Sequence, residues 1–293
     1  MDAPTTRPGP GRSRAAALTV IGLLAILAPI SGSQAPAPFI DLTPDGVAAA
    51  ASKYIAEYQK AFSFLIADEM YRQEVEREDL PTERRQLEGE IYMMYLPADD
   101  EWITVRDVAR VDGRPVADRE DLRRLLLSNT DRGLVDRIAN RNAAFNIGTV
   151  IRNFNEPTLP LLVLSEKKRA TSRYKRTGLQ KEGDVMLVTV SFEEQRRPTL
   201  VSSATGGAVF AKGSFVIEAG TGRVRETHFE LEDGRVKARL TTTYAFEERL
   251  DLWVPSVFRE RYERRHRGSG LEVVTGEATY TNYKRFQGTG RIK

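Results

Sequence analysis

Apolar and polar positions alternate with a period of two through most of the second half of the chain. Residues 185–193, 209–218, 223–232, 236–246, 252–263 and 271–286 all show the pattern, and all are rich in β-branched and aromatic side chains. Successive side chains on a strand point to opposite faces, so the pattern predicts an antiparallel sheet with one apolar face and one wet face. In residues 236–246 the apolar set is Val236, Ala238, Leu240, Thr242, Tyr244 and Phe246. The wet set is Lys237, Arg239, Thr241 and Thr243. Turn signals separate the runs: Gly220 and Gly222 supply the positive φ of a tight turn, and Asp233-Gly234 is a hairpin dipeptide. Pro255 removes a ladder donor and predicts an edge, a bulge or a bend in its strand.

The first half reads differently. Thr43, Pro44 and Asp45 supply a cap, a first-turn proline and a first-turn acid, so a helix starts there. Val47, Ala51, Tyr54, Ile55, Tyr58 and Phe62 form its apolar stripe, which is expected to cover one face of the sheet. Residues 64–76 and 84–96 read as a strand pair. The second has apolar residues on both sides (Ile91, Met93 and Tyr95 against Tyr92, Met94 and Leu96), so burial on both faces is expected. A further strand over 102–111 ends at Asp112-Gly113. A helical region begins at Asp118, carries Leu122, Leu125 and Leu126, and continues over 134–145 until Asn146 and Gly148 stop it. Residues 158–164 are apolar and fit either helix or strand, and 167–179 alternate again. The fold class expected is α+β: residues 36–293 form a single domain, a strongly curved antiparallel sheet or incomplete β-barrel. An N-terminal helix and a helical insertion at about 118–145 cover it.

Composition adds an address. Arg12 and Arg14 precede an apolar run over 15–30, and small residues follow to Ala35. This is the make-up of a cleaved signal peptide over 1–35, and the run is shorter than the about 20 residues that span a bilayer. Export by the general secretory route to the periplasm or beyond is expected. The chain carries +3 overall, and the first 35 residues hold +2 of it, which leaves +1 for the exported part. A whole-molecule attraction to nucleic acid does not follow from that charge. The absence of cysteine excludes disulfides, thiolate metal sites and a cysteine nucleophile.

Candidate chemistry is sparse. Only His228 and His266 exist, and neither sits in a metal-ligand spacing. No Gly-x-Ser-x-Gly or phosphate-loop motif occurs, so no catalytic residue, metal ligand or cofactor is expected. The acidic clusters Asp68/Glu69 and Asp99/Asp100/Glu101 are the sole motive for a carboxylate-dependent hydrolase. Residues 167–176 carry six positive charges without an acid, and 259–267 interleave arginines with two glutamates. These stretches fit either an anionic membrane surface or the solvated face of a sheet with cross-strand partners.

Residues 215–224, the run Leu252-Trp253-Val254-Pro255 and residues 278–286 resemble, in order and spacing, the outer-membrane lipoprotein-sorting proteins of the LolA/LolB-like half-barrel group. The exported chain also resembles uncharacterised secreted bacterial proteins. The resemblance implies a curved incomplete barrel with helices plugging its concave side, and an apolar cavity that takes the acyl chain of a lipid or lipoprotein. Met186, Val188, Leu240, Tyr244, Phe258 and Tyr262 are the candidate lining, with plain core against the helices as the other reading. Three functions are therefore open: a non-catalytic carrier of a hydrophobic ligand, an exported interaction module with a solid core, and the hydrolase.

Overall fold

The computed structural model describes residues 40–61, 64–96, 101–117, 119, 121–128, 132–150, 152, 156–203, 206–234, 236–266, 268 and 270–285. The expected signal peptide, Phe62, Asp99, Asp100 and Asp118 lie outside the described residues. The chain begins with α1 (Pro44–Ala61), then β1 (Phe64–Arg77), β2 (Glu83–Leu96), β3 (Glu101–Val111) and the two-residue β4 (Arg114–Pro115). Two helices follow, α2 (Leu122–Ser128) and α3 (Arg132–Ala143), then a 3₁₀ helix over Leu159–Leu164 and the single turn α4 (Glu166–Arg169). The remaining strands are β5 (Ser172–Glu182), β6 (Val185–Glu194), the short ribbon β7 (Val201–Ser202) and β8 (Ala208–Val209), β9 (Lys212–Glu218), β10 (Val224–Asp233), β11 (Val236–Glu247), β12 (Leu252–Arg265) and β13 (Leu271–Arg285).

Eleven strands join one antiparallel sheet in the order β4-β3-β2-β1-β13-β12-β11-β10-β9-β6-β5. The early hairpin is thus sewn to the end of the chain, with Tyr71 opposite Ala278 and Glu69 opposite Tyr280. The expected turns form, with Gly222 and Gly234 at φ of +73° and +58°, but Gly220, expected to share the role of Gly222, does not take a positive φ. Pro255 lies opposite Tyr244 at a register shift in a central strand, so of its three expected settings the bulge is the one realised.

The thirteenth strand beside the first is where the sheet earns its shape. Leu65, Ala67, Tyr71 and Val75 of β1 share a face with Val274 and Ala278 of β13, and with Phe258, Leu240, Phe229, Phe215 and Val188 of the strands beyond. On this core face lies α1. Thr43 Oγ1 caps it by accepting from Gly46 N at 3.1 Å, and Val47, Ala48, Ala51, Ile55 and Tyr58 are buried along one side. The helix touches both flanks of the sheet. Arg176 of β5 donates to the Leu42 carbonyl at 3.1 Å, and the Tyr58 ring meets Trp102 of β3 with centroids 5.7 Å apart. β3 and β5 are nine inter-strand steps apart. Laid flat, that distance is about 43 Å, whereas residues 42–58 span about 24 Å in a helix. The sheet therefore curls around α1, but it does not close, since β4 and β5 remain its edges.

Two expectations are corrected here. The helical insertion does not sit on the concave side. Leu122, Leu126 and Ile138 of α2 and α3 pack with Ile66, Tyr92, Met94, Ile103 and Val105, on the opposite face of β1–β3. That placement explains why β2 is apolar on both sides: Ile91 and Met93 join the main core while Tyr92 and Met94 join the second. The run 167–179 is not one strand either, because Ser165 caps the short α4 before β5 begins.

Candidate ligand-binding site

Of the six candidate lining residues, the structure gathers four on adjacent strands. Leu240 and Tyr244 of β11 and Phe258 and Tyr262 of β12 all face the core and are at most 5% exposed. Val188 and the partly buried Met186 share that face but lie on β6, with β9 and β10 between them and β11. All six pack in or against the cluster that contains α1 and Leu161–Leu164. The latter segment, assignable to neither helix nor strand from sequence, is the 3₁₀ helix that lies on the core face. Thr242 Oγ1 and Tyr244 Oη both donate to the Pro157 carbonyl at its start, at 2.8 and 2.9 Å, and Tyr174 Oη donates to Val163 O at 3.0 Å.

Beneath this apolar layer lies a polar cluster that the sequence did not announce. The Arg152 side chain is fully buried against the equally buried Glu260. Its Nη1 donates to Glu260 Oε1 and to Tyr71 Oη, both at 2.8 Å, and its Nη2 to Gln73 Oε1 at 2.5 Å and to Ile147 O at 2.9 Å. Tyr71 Oη donates to Glu260 Oε1, and Tyr262 Oη to Oε2 at 3.1 Å. Opposite Glu260 stands Gly276, where a Cβ would lie 2.7 Å from the carboxylate and 2.8 Å from the Tyr71 ring, so only glycine leaves the space. Burial, and then Glu260, push the hydroxyls of Tyr71 and Tyr262 well above the usual tyrosine range. Burial opposes the charge on Arg152, yet its anionic neighbour keeps the guanidinium above its ordinary pKa.

Two other carboxylates on the core face are likewise paired, while Glu194 accepts from Leu200 N and Ala211 N at 2.9 and 2.8 Å. Arg106 Nε meets Glu69 Oε2 at 2.7 Å and lies 4.6 Å from the Tyr71 ring centre. Glu272 accepts from Arg77 Nε at 2.7 Å and from Thr149 N and Oγ1 at 2.9 and 2.7 Å. Among the described residues, Glu69 Oε1, Tyr280 Oη and Thr104 Oγ1 near the β1–β3 end are buried and meet no hydrogen-bond partner. Such groups are costly unless something polar meets them.

Of the two acid clusters, only Asp68/Glu69 lies wholly among the described residues, and its side chains do not converge. Asp68 and Glu69 point to opposite faces, and Glu69 is neutralised by Arg106. His228 faces away from the core beside Glu226 and Thr241, and His266 meets Thr149 Oγ1 at 3.3 Å. Among the described residues no group of three His, Asp or Glu is placed to hold a metal ion. What the described core face offers is an apolar surface with buried polar groups, most of them hydrogen-bonded or ion-paired.

No family model matches the sequence, and no curated protein matches it. Solved structures do. A domain from Vibrio parahaemolyticus described as an outer membrane lipoprotein-sorting protein matches over 83% of this chain and 95% of its own, at 13% identity and a TM-score of 0.39. A LolA superfamily protein from Nitrosomonas europaea matches over 84% and 95%, at 13% identity and a TM-score of 0.33. These are members of the group that the sequence resembles, and at this level of overlap nothing about ligand or activity follows from them.

Proposed function

We propose that the protein is an exported, non-catalytic binding or carrier protein for a lipid or other hydrophobic ligand, held between the curled sheet and the segments that roof it. The observation that carries this reading is the make-up of the roof. Two of the pieces of chain that cover the apolar face are α1 and the 3₁₀ helix Leu159–Leu164, beside the stretch bearing Ile147, Val150 and Arg152 and the small β7–β8 ribbon. The buried side of α1 is small in its first turns (Val47, Ala48, Ala51, Ser52) and larger towards its end (Ile55, Tyr58), so the first turns are the less interlocked part. Lifting either piece uncovers an apolar trough lined by Met186, Val188, Leu240, Tyr244, Phe258 and Tyr262. Each methylene of a ligand buried there contributes about 0.8 kcal/mol. Glu69 Oε1, Tyr280 Oη and Thr104 Oγ1, unpartnered among the described residues, suit a polar head group at the β1–β3 end.

The test is native mass spectrometry of protein purified from a bacterial periplasm, followed by delipidation and titration with a fluorescent fatty acid. The expected result is a co-purifying lipid and saturable one-to-one uptake. Protein recovered free of lipid that takes up no probe overturns the reading. A second reading, an interaction module with a solid core, has its own support: Val188, Leu240, Phe258 and Tyr262 are each no more than 1% exposed. It is the reading that survives if the titration fails.

A further inference from the structure

The face of the sheet opposite the core carries a groove of about 730 Å³ lined from β11, β12, β13, β1 and β2. Strand register sets its floor as two cross-strand rows. One runs Arg239, Arg261, Thr275, Glu74, Arg84, and the next runs Thr241, Arg259, Glu277, Arg72, Gln86. Three acids balance part of its charge: Glu74 takes Arg84 at 2.7 Å, Glu277 takes Arg259 at 2.8 Å, and Asp112 Oδ1 at the rim accepts from Gln86 N at 2.8 Å. The other arginines are not matched one to one. Arg239 and Arg261 stand directly opposite each other, an arrangement that disfavours the sheet when the charges are alike. They share one oxygen, Glu263 Oε1, at 3.4 and 3.0 Å, and among the described residues Arg239 has only Glu230 besides, at 3.8 Å. Across β13, the Arg72 guanidinium meets the Gln86 amide oxygen at 3.3 Å and the Met70 sulfur at 3.2 Å, both neutral acceptors. Glu260 does not offset these charges, because its carboxylate is turned to Arg152 on the other face.

The groove thus presents two cationic points with the small Thr275 and the Glu277 pair between them. Arg72 and Arg261 lie two inter-strand steps and one row apart, about 12 Å. A guanidinium favours phosphate oxygens, which it engages with two parallel donors. We propose that this groove binds an elongated soluble anion bearing at least two phosphate groups, one against the Arg239/Arg261 pair and one against Arg72. A recessed groove suits such a ligand better than the flat surface of a bilayer. The site lies on the opposite face from the proposed hydrophobic ligand and does not rest on that reading.

The experiment is isothermal titration calorimetry of the full exported chain at low ionic strength, with tripolyphosphate, with inorganic phosphate, and with vesicles of phosphatidylglycerol in phosphatidylcholine. Saturable binding of tripolyphosphate is expected, with inorganic phosphate at least tenfold weaker and affinity falling as salt is added. The double variant Arg239→Gln/Arg261→Gln should weaken binding about tenfold or more, and Arg72→Gln several-fold, as befits loss of charge-assisted bonds. Arg173→Gln on β5, away from the groove, should leave it unchanged, and thermal unfolding of each variant checks that the sheet is intact. The proposal is overturned if tripolyphosphate gives no saturable heat, if inorganic phosphate binds as tightly, or if the double variant binds like the parent. Binding to vesicles that tripolyphosphate does not displace overturns it too, in favour of a membrane surface.

Discussion

The Arg152–Glu260 pair sets the terms at the scale of single residues. Two charges withdrawn wholly from water cost more in desolvation than their attraction returns unless every remaining donor and acceptor is met. Here most are: Tyr71, Tyr262, Gln73 and the Ile147 carbonyl take up the remaining donors and acceptors, although Arg152 Nε meets no partner among the described residues. Glu260→Gln should therefore cost about 3–5 kcal/mol, because it strands a buried guanidinium. Arg152→Met combined with Glu260→Leu should recover most of that loss, since the pair goes out together. Urea unfolding midpoints of the three proteins check both statements, and a double variant no better than the single one would refute the assignment of the cost to an orphaned charge. None of this was readable beforehand. Arg152 stands alone in a stretch with no periodicity, and Glu260 looked like one of two acids diluting a basic run. Only the chain crossing the core face makes them neighbours, and no local spacing encodes that.

Elements were far more legible, because their signals are local. The alternation of residues 236–246 fixed which side chains of β11 face the core, failing only at Phe246, which is 46% exposed near the strand's end. Thr43 and Pro44 marked the start of α1 because capping is decided within one turn. The helical insertion was located but placed on the wrong face: Leu122 and Leu126 declare an apolar stripe, yet nothing in a stripe says which of two apolar surfaces it will meet. Only the double-sided β2 held that information. The seat of α1 offers a test at this scale. Gly222, in the β9–β10 turn, has φ +73°, and a Cβ there would come within 2.3 Å of the Ala50 carbonyl of α1. Gly222→Ala must take a left-handed conformation, costing about 1–2 kcal/mol, and must also push the helix off the turn. A loss of at least that size is expected in the urea midpoint, together with faster amide exchange in α1. An unchanged exchange rate would mean that the turn does not hold the helix.

At the scale of the whole molecule, the curl that wraps the sheet around α1 gathers tyrosines from both ends of the chain into one interior. Tyr58 comes from the helix, Tyr71 from β1, Tyr244 and Tyr262 from β11 and β12, and Tyr280 and Tyr283 from β13. Burial raises the pKa of all six, and of Tyr54, Tyr92 and Tyr174 as well. In the unfolded chain these hydroxyls ionise near pH 10. Above that pH the folded state still holds protons that the unfolded state has released, so stability falls as pH rises, and below it the contribution is constant. Because many groups act together, the fall should be steep. A flat sheet with its tyrosines at the surface would instead show independent ionisation with the fold intact. Tyrosinate absorbance and far-ultraviolet circular dichroism followed on one alkaline titration separate the two. The expected outcome is that the buried tyrosines stay protonated past pH 10 and then ionise in a single transition that coincides with loss of the sheet signal. Gradual ionisation centred near pH 10 with the circular dichroism unchanged would place these rings in water and undo the curled architecture.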